Sequence, residues 1–230
     1  SIQFAEDASP LAHPVRPSAY IEISNFYTTT IYEKGAEVVG MYRTLLGDEK
    51  FRRGTDLYFD RHDGEAATTD DFMRAMSDAG DVDLEQFKRW YEQAGTPNLR
   101  GAEQYESQTL TLTVEQSCPP TPDQEQKLPF HMPVLLGLLD KDGQDLALTA
   151  DQLDTNAQFE LRDNRHSVMV NLRESTTRIA FTGLTEKPVV SFLRQFSAPV
   201  KVQYQRPAAE LDFLARHDQD GFVRWDALQS

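Results

Sequence analysis

The chain has 230 residues, 39% of them hydrophobic and 26% charged, which is enough for two small domains or one large one with a buried core. Its net charge of −14 repels phosphate backbones and anionic lipid, which argues against nucleic acid and membrane surfaces as partners. The single cysteine, Cys118, excludes an internal disulfide and CxxC chemistry, so a reducing, cytoplasmic compartment is expected.

Residues 1 to about 19 are polar and punctuated by Pro10, Pro14 and Pro17, a pattern that predicts no regular helix. The chain opens without methionine and without a signal peptide, which suggests an origin in something longer. A first helix is expected from Thr30, as N-cap, with Glu33 completing a capping box. Ile31, Val38, Met41, Tyr42 and Leu45 recur along it at helical spacing, and Gly47 stops it. A second helix runs from about Asp48 to His62 with Phe51, Leu57, Tyr58 and Phe59 as its apolar side. A third opens on a Thr68–Asp71 box. In a fourth, capped by Asp83 with Gln86 at N3, Leu84, Phe87, Trp90 and Tyr91 share a face; Gly95 and Pro97 end it.

After Pro97 the period changes. "TLTLTV" at 109–114 alternates, "FHMPVLLGLLD" at 130–140 reads as a more fully buried strand, and "DKDG" at 140–143 as a hairpin turn. "QFEL", "SVMVNL", "RIAFTGL" and "VVSFLRQFSAPVKVQY" continue the strands to Tyr204. Short strands with regular turns predict an antiparallel β-sandwich. "PPTPDQEQKLP" at 119–129 is expected to be an exposed loop within it. From Pro207, at N1, Leu211, Phe213 and Leu214 begin a further helix. Runs of one type rather than alternation give an α+β class. The longest apolar run, "VLLGLL" at 134–139, is far short of the roughly 20 residues that cross a bilayer.

Few residues are arranged for chemistry. The five histidines, His13, His62, His131, His166 and His217, are scattered, and no H-E-x-x-H pair occurs. No nucleophile elbow, P-loop or dinucleotide fingerprint is present. "DKDG" and "HDQDG" at 217–221 have alternating aspartates but no downstream glutamate, so they read as turns rather than calcium loops. The acidic clusters fall at helix starts, where the dipole favours them. There remain Tyr20, Tyr27, Tyr32 and Tyr42. Aromatics at helical spacing usually fill a core. Tyr32, however, would sit at N2 if Thr30 caps, and a neutral phenol at that end of a helix can donate to a developing oxyanion.

The blocks "FAEDASPLAHPVRP", "NFYTTTIYEKGAEVVGMYRTLLG", "YFDRHDGEAATTDDF" and "FKRWYEQAGTPNL", followed by "FSAPVKV" and "RWDA", resemble bacterial aminopeptidase N, a zinc alanyl aminopeptidase family, over nearly the whole chain. The resemblance implies three parts: residues 1–97 as the helical end of a thermolysin-like catalytic domain, 98–205 as a β-sandwich domain, and 206–230 as the start of a C-terminal helical domain. It implies that Tyr32, in "YEKGAE", is catalytic, donating to the tetrahedral oxyanion of peptide hydrolysis. It implies that Tyr27, in "NFY", binds substrate by lining the pocket for its N-terminal side chain. Ser24-Asn25 stands where the family often has Asn-Asn, which leaves a role for Ser24 open. The family's zinc-binding motif and its G-x-M-E-N block are not in this sequence. The implied partners are peptide substrates and the remaining domains of the same polypeptide. Zinc is implied for the longer enzyme and no metal for this stretch, which would be inactive alone. A stand-alone, non-catalytic interaction module is the alternative.

Overall fold

The computed structural model of the chain describes residues 2–19, 22–122 and 124–230. They form two compact units, 1–95 with 120–130, and 96–119 with 131–230.

The first unit is helical. It opens with α1, Ile2–Asp7, a helix the proline count argued against; it fits because it ends before Pro10. Val15 and Arg16 of the proline segment are anchored. Val15 is buried, and the Arg16 backbone N–H donates to the Tyr91 carbonyl. The Arg16 guanidinium binds Thr69, Asp70 and Glu92. A π-helical turn, Thr30–Lys34, runs into α2, Gly35–His62. Gly47 interrupts α2 with φ 75°, ψ 164°, a conformation essentially restricted to glycine. The expected stop at Gly47 and the second helix expected from Asp48 are therefore both present, the two runs joined across this kink. α3, Thr69–Gly80, begins with the Thr68–Asp71 box, both of its hydrogen bonds formed. The Thr68 side chain and backbone together hold the Asp71 carboxyl below the usual range. A 3₁₀ turn, Gln86–Lys88, leads into the short α4, Arg89–Glu92.

Apolar spacing on α2 and α3 buries Val38, Met41, Tyr42, Met73 and Met76; Leu84, Phe87 and Trp90 are buried in the same unit, Phe87 against Tyr42 and Trp90 against Phe130. Gly54 lets the two helices close, since a Cβ there would lie 2.6 Å from Met76 Sδ. Phe59 instead faces solvent. The 120–130 segment, expected to be an exposed loop of the sandwich, belongs to this unit. Leu128 N–H donates to Gln93 Oε1 at 2.8 Å, Lys127 Nζ to the Ala94 carbonyl at 2.8 Å, and Gln124 Nε2 to the Glu92 carbonyl at 2.6 Å. The last two satisfy carbonyls at and just past the C-terminal end of α4, where the helix leaves them open.

The second unit is a β-sandwich followed by helices. A five-stranded sheet has the order β4-β7-β2-β1-β9 and a four-stranded one β5-β6-β3-β8. The strands are β1 Asn98–Glu106, β2 Thr109–Ser117, β3 Met132–Leu139, β4 Leu153–Thr155, β5 Phe159–Arg162, β6 Ser167–Leu172, β7 Thr176–Phe181, β8 Val189–Phe192 and β9 Lys201–Tyr204. Pairing is antiparallel except between β1 and β9. β3 lies between β6 and β8 and all eight of its residues are buried, which accounts for its unbroken apolar run. On β2 the alternation buries Leu110, Leu112 and Val114 as expected. β1 and β4 escape sequence reading. β1 buries Leu99 and leaves Gly101, Glu103 and Gln104 without apolar contrast.

Pro207 stands one residue before its expected place, as the N-cap of α5, Ala208–His217. α6, Gly221–Gln229, is capped by Asp220, whose carboxylate accepts from Phe222 and Val223 N–H; "HDQDG" is thus turn and cap. Leu214 and Val223 form a small core with Leu139 of β3.

Candidate functional site

The four tyrosines separate. Tyr42 is fully buried, edge-on to Phe72 at 5.5 Å and against Phe87 at 4.5 Å, and its hydroxyl accepts from Tyr91 at 3.2 Å. Burial pushes both of these phenols above the usual tyrosine range. Tyr42 is a core residue, as aromatics at helical spacing usually are. Tyr20 lies outside the described residues. Tyr27 and Tyr32 are neither buried nor scattered. They are 60% and 61% exposed, and their rings stack at 6.2 Å with planes 27° apart.

Local structure explains this placement. A 3₁₀ turn, Ile23–Phe26, delivers Tyr27, whose ring meets Phe26 edge-on at 5.9 Å. Ser24 is exposed in that turn. The helix then starts earlier than the capping box predicted. Thr28, not Thr30, caps it: Thr28 Oγ1 accepts from Ile31 N–H at 3.2 Å and the Thr28 carbonyl from Tyr32 N–H at 3.2 Å. Thr30 is fully buried inside the π turn, where its hydroxyl accepts from Gln3 Nε2 at 3.3 Å. A Thr30 cap would have to face outward, and burial against α1 prevents it. Tyr32 is accordingly four residues past the cap rather than at N2, and its amide is already spent on the helix. What it can offer a ligand is its phenol.

Thr30 and Lys34 are both buried, and Tyr32 lies midway between them. At about 100° per residue, two steps carry a side chain some 200° round a helix. Burying positions 30 and 34 therefore turns position 32 outward. Glu33, its neighbour, is exposed, and Glu37 is raised in pKa by burial first and by the Glu33 charge second.

Lys34 holds this arrangement from below. Its ammonium is 1% exposed and donates to Asp7 Oδ2 at 3.1 Å and to the Gly95 carbonyl at 2.9 Å. Three distant blocks, "FAED", "YEKG" and "QAGTP", meet there. Sequence reading missed Gln3, Asp7 and Lys34 as a set, because Asp7 and Lys34 are 27 positions apart. The signal available was the shared four-residue spacing, Gln3 to Asp7 and Thr30 to Lys34.

An exposed phenol with a stacked aromatic beside it can donate one hydrogen bond to a ligand oxygen while the second ring covers the ligand's apolar part. Among the described residues, no group of three or more His, Cys, Asp or Glu side chains could hold a metal ion. The zinc that the sequence resemblance implies for the longer enzyme thus has no such set of ligands among the described residues of this stretch. No helix among the described residues is long and apolar enough to cross a membrane.

Comparison with known proteins accounts for both units. Residues 1–91 match the peptidase family M1 domain, and residues 95–205 match a domain of unknown function (DUF3458) with an Ig-like fold. Aminopeptidase N of Escherichia coli K12 is 46% identical over 231 residues, covering 100% of this chain and 25% of that protein. The Haemophilus influenzae enzyme of the same name is 44% identical over 231 residues, with 100% and 25% covered. That of Caulobacter vibrioides is 44% identical over 230 residues, with 99% and 25% covered. The crystal structure of Legionella pneumophila aminopeptidase A in complex with aspartic acid superposes with a TM-score of 0.76 at 24% identity, over 94% of this chain and 22% of that one, a likeness of fold. The chain spans about a quarter of the length of the curated relatives it matches. Residues 1–91 are thus similar to the peptidase M1 domain and 95–205 to the Ig-like domain, and the chain as a whole is similar to a quarter-length stretch of the bacterial aminopeptidase N proteins.

Proposed function

We propose that this chain is the part of a zinc aminopeptidase that supplies the oxyanion-stabilising phenol, Tyr32, and one wall of the substrate pocket, Tyr27. The longer enzyme removes N-terminal amino acids from peptides in the cytoplasm. In this reading residues 1–97 end its catalytic domain, 98–205 form its β-sandwich domain, and 206–230 begin its helical domain. The supporting observation is the pair itself: two tyrosines stacked and exposed at a helix start, while Tyr42 of the same block is buried.

The chemistry assigned to Tyr32 is that of its own hydroxyl. A phenolic O–H can donate one hydrogen bond. As a peptide carbonyl becomes tetrahedral, its oxygen gains charge, and a donor already aimed at that oxygen binds the transition state more tightly than the substrate. Tyr27 contributes surface rather than charge. The stretch by itself holds no complete catalytic set and is inactive alone.

The test uses a chimaera in which this chain replaces the matching stretch of the Escherichia coli enzyme. Tyr32→Phe keeps the ring and its stacking on Tyr27. The expected result is a loss of roughly 10²–10³ in kcat with KM little changed, since the bond forms fully only in the transition state. In the chain alone the same substitution costs under about 1 kcal/mol, because an exposed hydroxyl leaves no buried partner unsatisfied. Near-normal turnover together with a large drop in the chain's own stability would make Tyr32 a structural residue and favour the interaction-module reading.

A further inference from the structure

We propose that the buried Lys34–Asp7 ion pair is a positioning device for the Tyr32 phenol. The inference rests on the reading of Tyr32 as the oxyanion donor and adds residues that contact no substrate.

Both charged groups are 1% exposed, and Lys34 Nζ also reaches the Gly95 carbonyl at 2.9 Å. Breaking a buried pair is costly, yet an apolar pair of similar volume is often equally stable or more so. Stability alone is therefore a poor reason for this pair. A defined register is a better one, because the ammonium must meet two oxygens that lie in different segments. The second tether, Gln3 Nε2 to Thr30 Oγ1 at 3.3 Å, runs beside it. Gln3 and Asp7 are one turn apart on α1, as are Thr30 and Lys34 on the π turn. The two bonds lace α1 along the turn and fix its rotation about its own axis.

That rotation decides where Tyr32 points. The π turn has a wider hydrogen-bond register than an α-helix, and Gly35 N–H donates to both the Thr30 and Tyr32 carbonyls. If the turn relaxed to ordinary α geometry, or slipped by one residue, the phenol would swing away from its stack on Tyr27. A catalytic group displaced by about 1 Å can lose on the order of 10² in rate.

In the chimaera, Asp7→Asn keeps the shape and one acceptor while removing the charge. The expected result is a kcat lower by roughly 10–100-fold with KM little changed. In the Tyr32→Phe background the same substitution should change kcat by less than about twofold, since groups acting through one another are not additive. An equal loss in both backgrounds would overturn the proposal and leave the pair as scaffold. Tyr32→Phe with normal kcat would instead sink the oxyanion reading, whatever Asp7→Asn does. Should Asp7→Asn not fold, the paired Asp7→Leu, Lys34→Met variant replaces it. That variant is expected to keep thermal stability and still lose kcat; full recovery of kcat would overturn the proposal. A readout without turnover is amide hydrogen exchange in the chain itself. Either variant should speed exchange at Tyr32 N–H, which bonds the Thr28 carbonyl, and leave the amides of α3 unchanged. Unchanged protection at Tyr32 would count against the device.

Discussion

Two buried charged residues in the sandwich unit show what single side chains decide. Arg194 is 6% exposed, held by Ser191, Ser167, the His166 carbonyl and Asp145. Its guanidinium lies over Gly137, where a Cβ would stand 2.3 Å from Cζ. Gly137→Ala must expel the guanidinium from partners it cannot replace, at a cost of about 3 kcal/mol in denaturant unfolding. Asp218 is 2% exposed, and burial raises its carboxyl above the usual range, offset in part by the Ser191 hydroxyl, the Asp220 amide and the Arg194 charge. A folded pKa above the unfolded one means that the native state binds the proton more tightly. The carboxylate is then a cost at neutral pH, and the cost fades as pH falls through the folded value. Asp218→Asn should therefore add about 1 kcal/mol at pH 7, and the gain should vanish in acid, measured as unfolding free energy against pH. A gain that grew on acidification would reverse the assignment.

At the scale of elements, composition alone distinguished good stop and start signals from poor ones unevenly. Thr68 with Asp71 behaved as written, because the Thr68 side chain stands exposed at the helix start, where its hydroxyl is free to turn to the Asp71 amide. Thr30 with Glu33 did not, because α1 claims the Thr30 hydroxyl and buries it. Gly47 ends the first helical run as read, and the second follows it directly across a kink. Its backbone takes φ 75°, ψ 164°, and the chain resumes helix at Asp48. Gly47→Ala should destabilise the helical unit by roughly 1–3 kcal/mol, seen as a lower Tm; no loss would mean that the kink can straighten without cost.

At the scale of the whole chain, each compact unit has its own apolar core, one around Tyr42, Phe87 and Trp90 and one around β2, β3, β6 and β7. Neither core assembles a cluster of metal-ligating side chains among the described residues. Chelator-free chain should accordingly carry zinc well below one ion per molecule by elemental analysis. A tightly held stoichiometric zinc would require a site built from groups the fold keeps apart.

Sequence by itself determined the order of helices, strands and helices and the buried faces of β2 and β3. Those signals are local: a period, a cap, a run of consecutive residues. Tertiary structure decided the rest. It decided that β1 pairs parallel with β9 across about a hundred residues, with Gly101 under the Tyr204 ring, which no alternation in "NLRGAEQYE" announces. It returned 120–130 to the helical unit, where the Gln124 side-chain amide and the Lys127 ammonium take up carbonyls at the end of α4. It separated Tyr42 from Tyr32, two tyrosines ten positions apart on one helical run, by burying the first among aromatics and turning the second outward through the ties of Thr30 and Lys34 to α1. The physical reason is common to all three. A hydrogen bond or ion pair between distant residues gains its partner only when the chain has folded, so its strength leaves no period in the sequence to read.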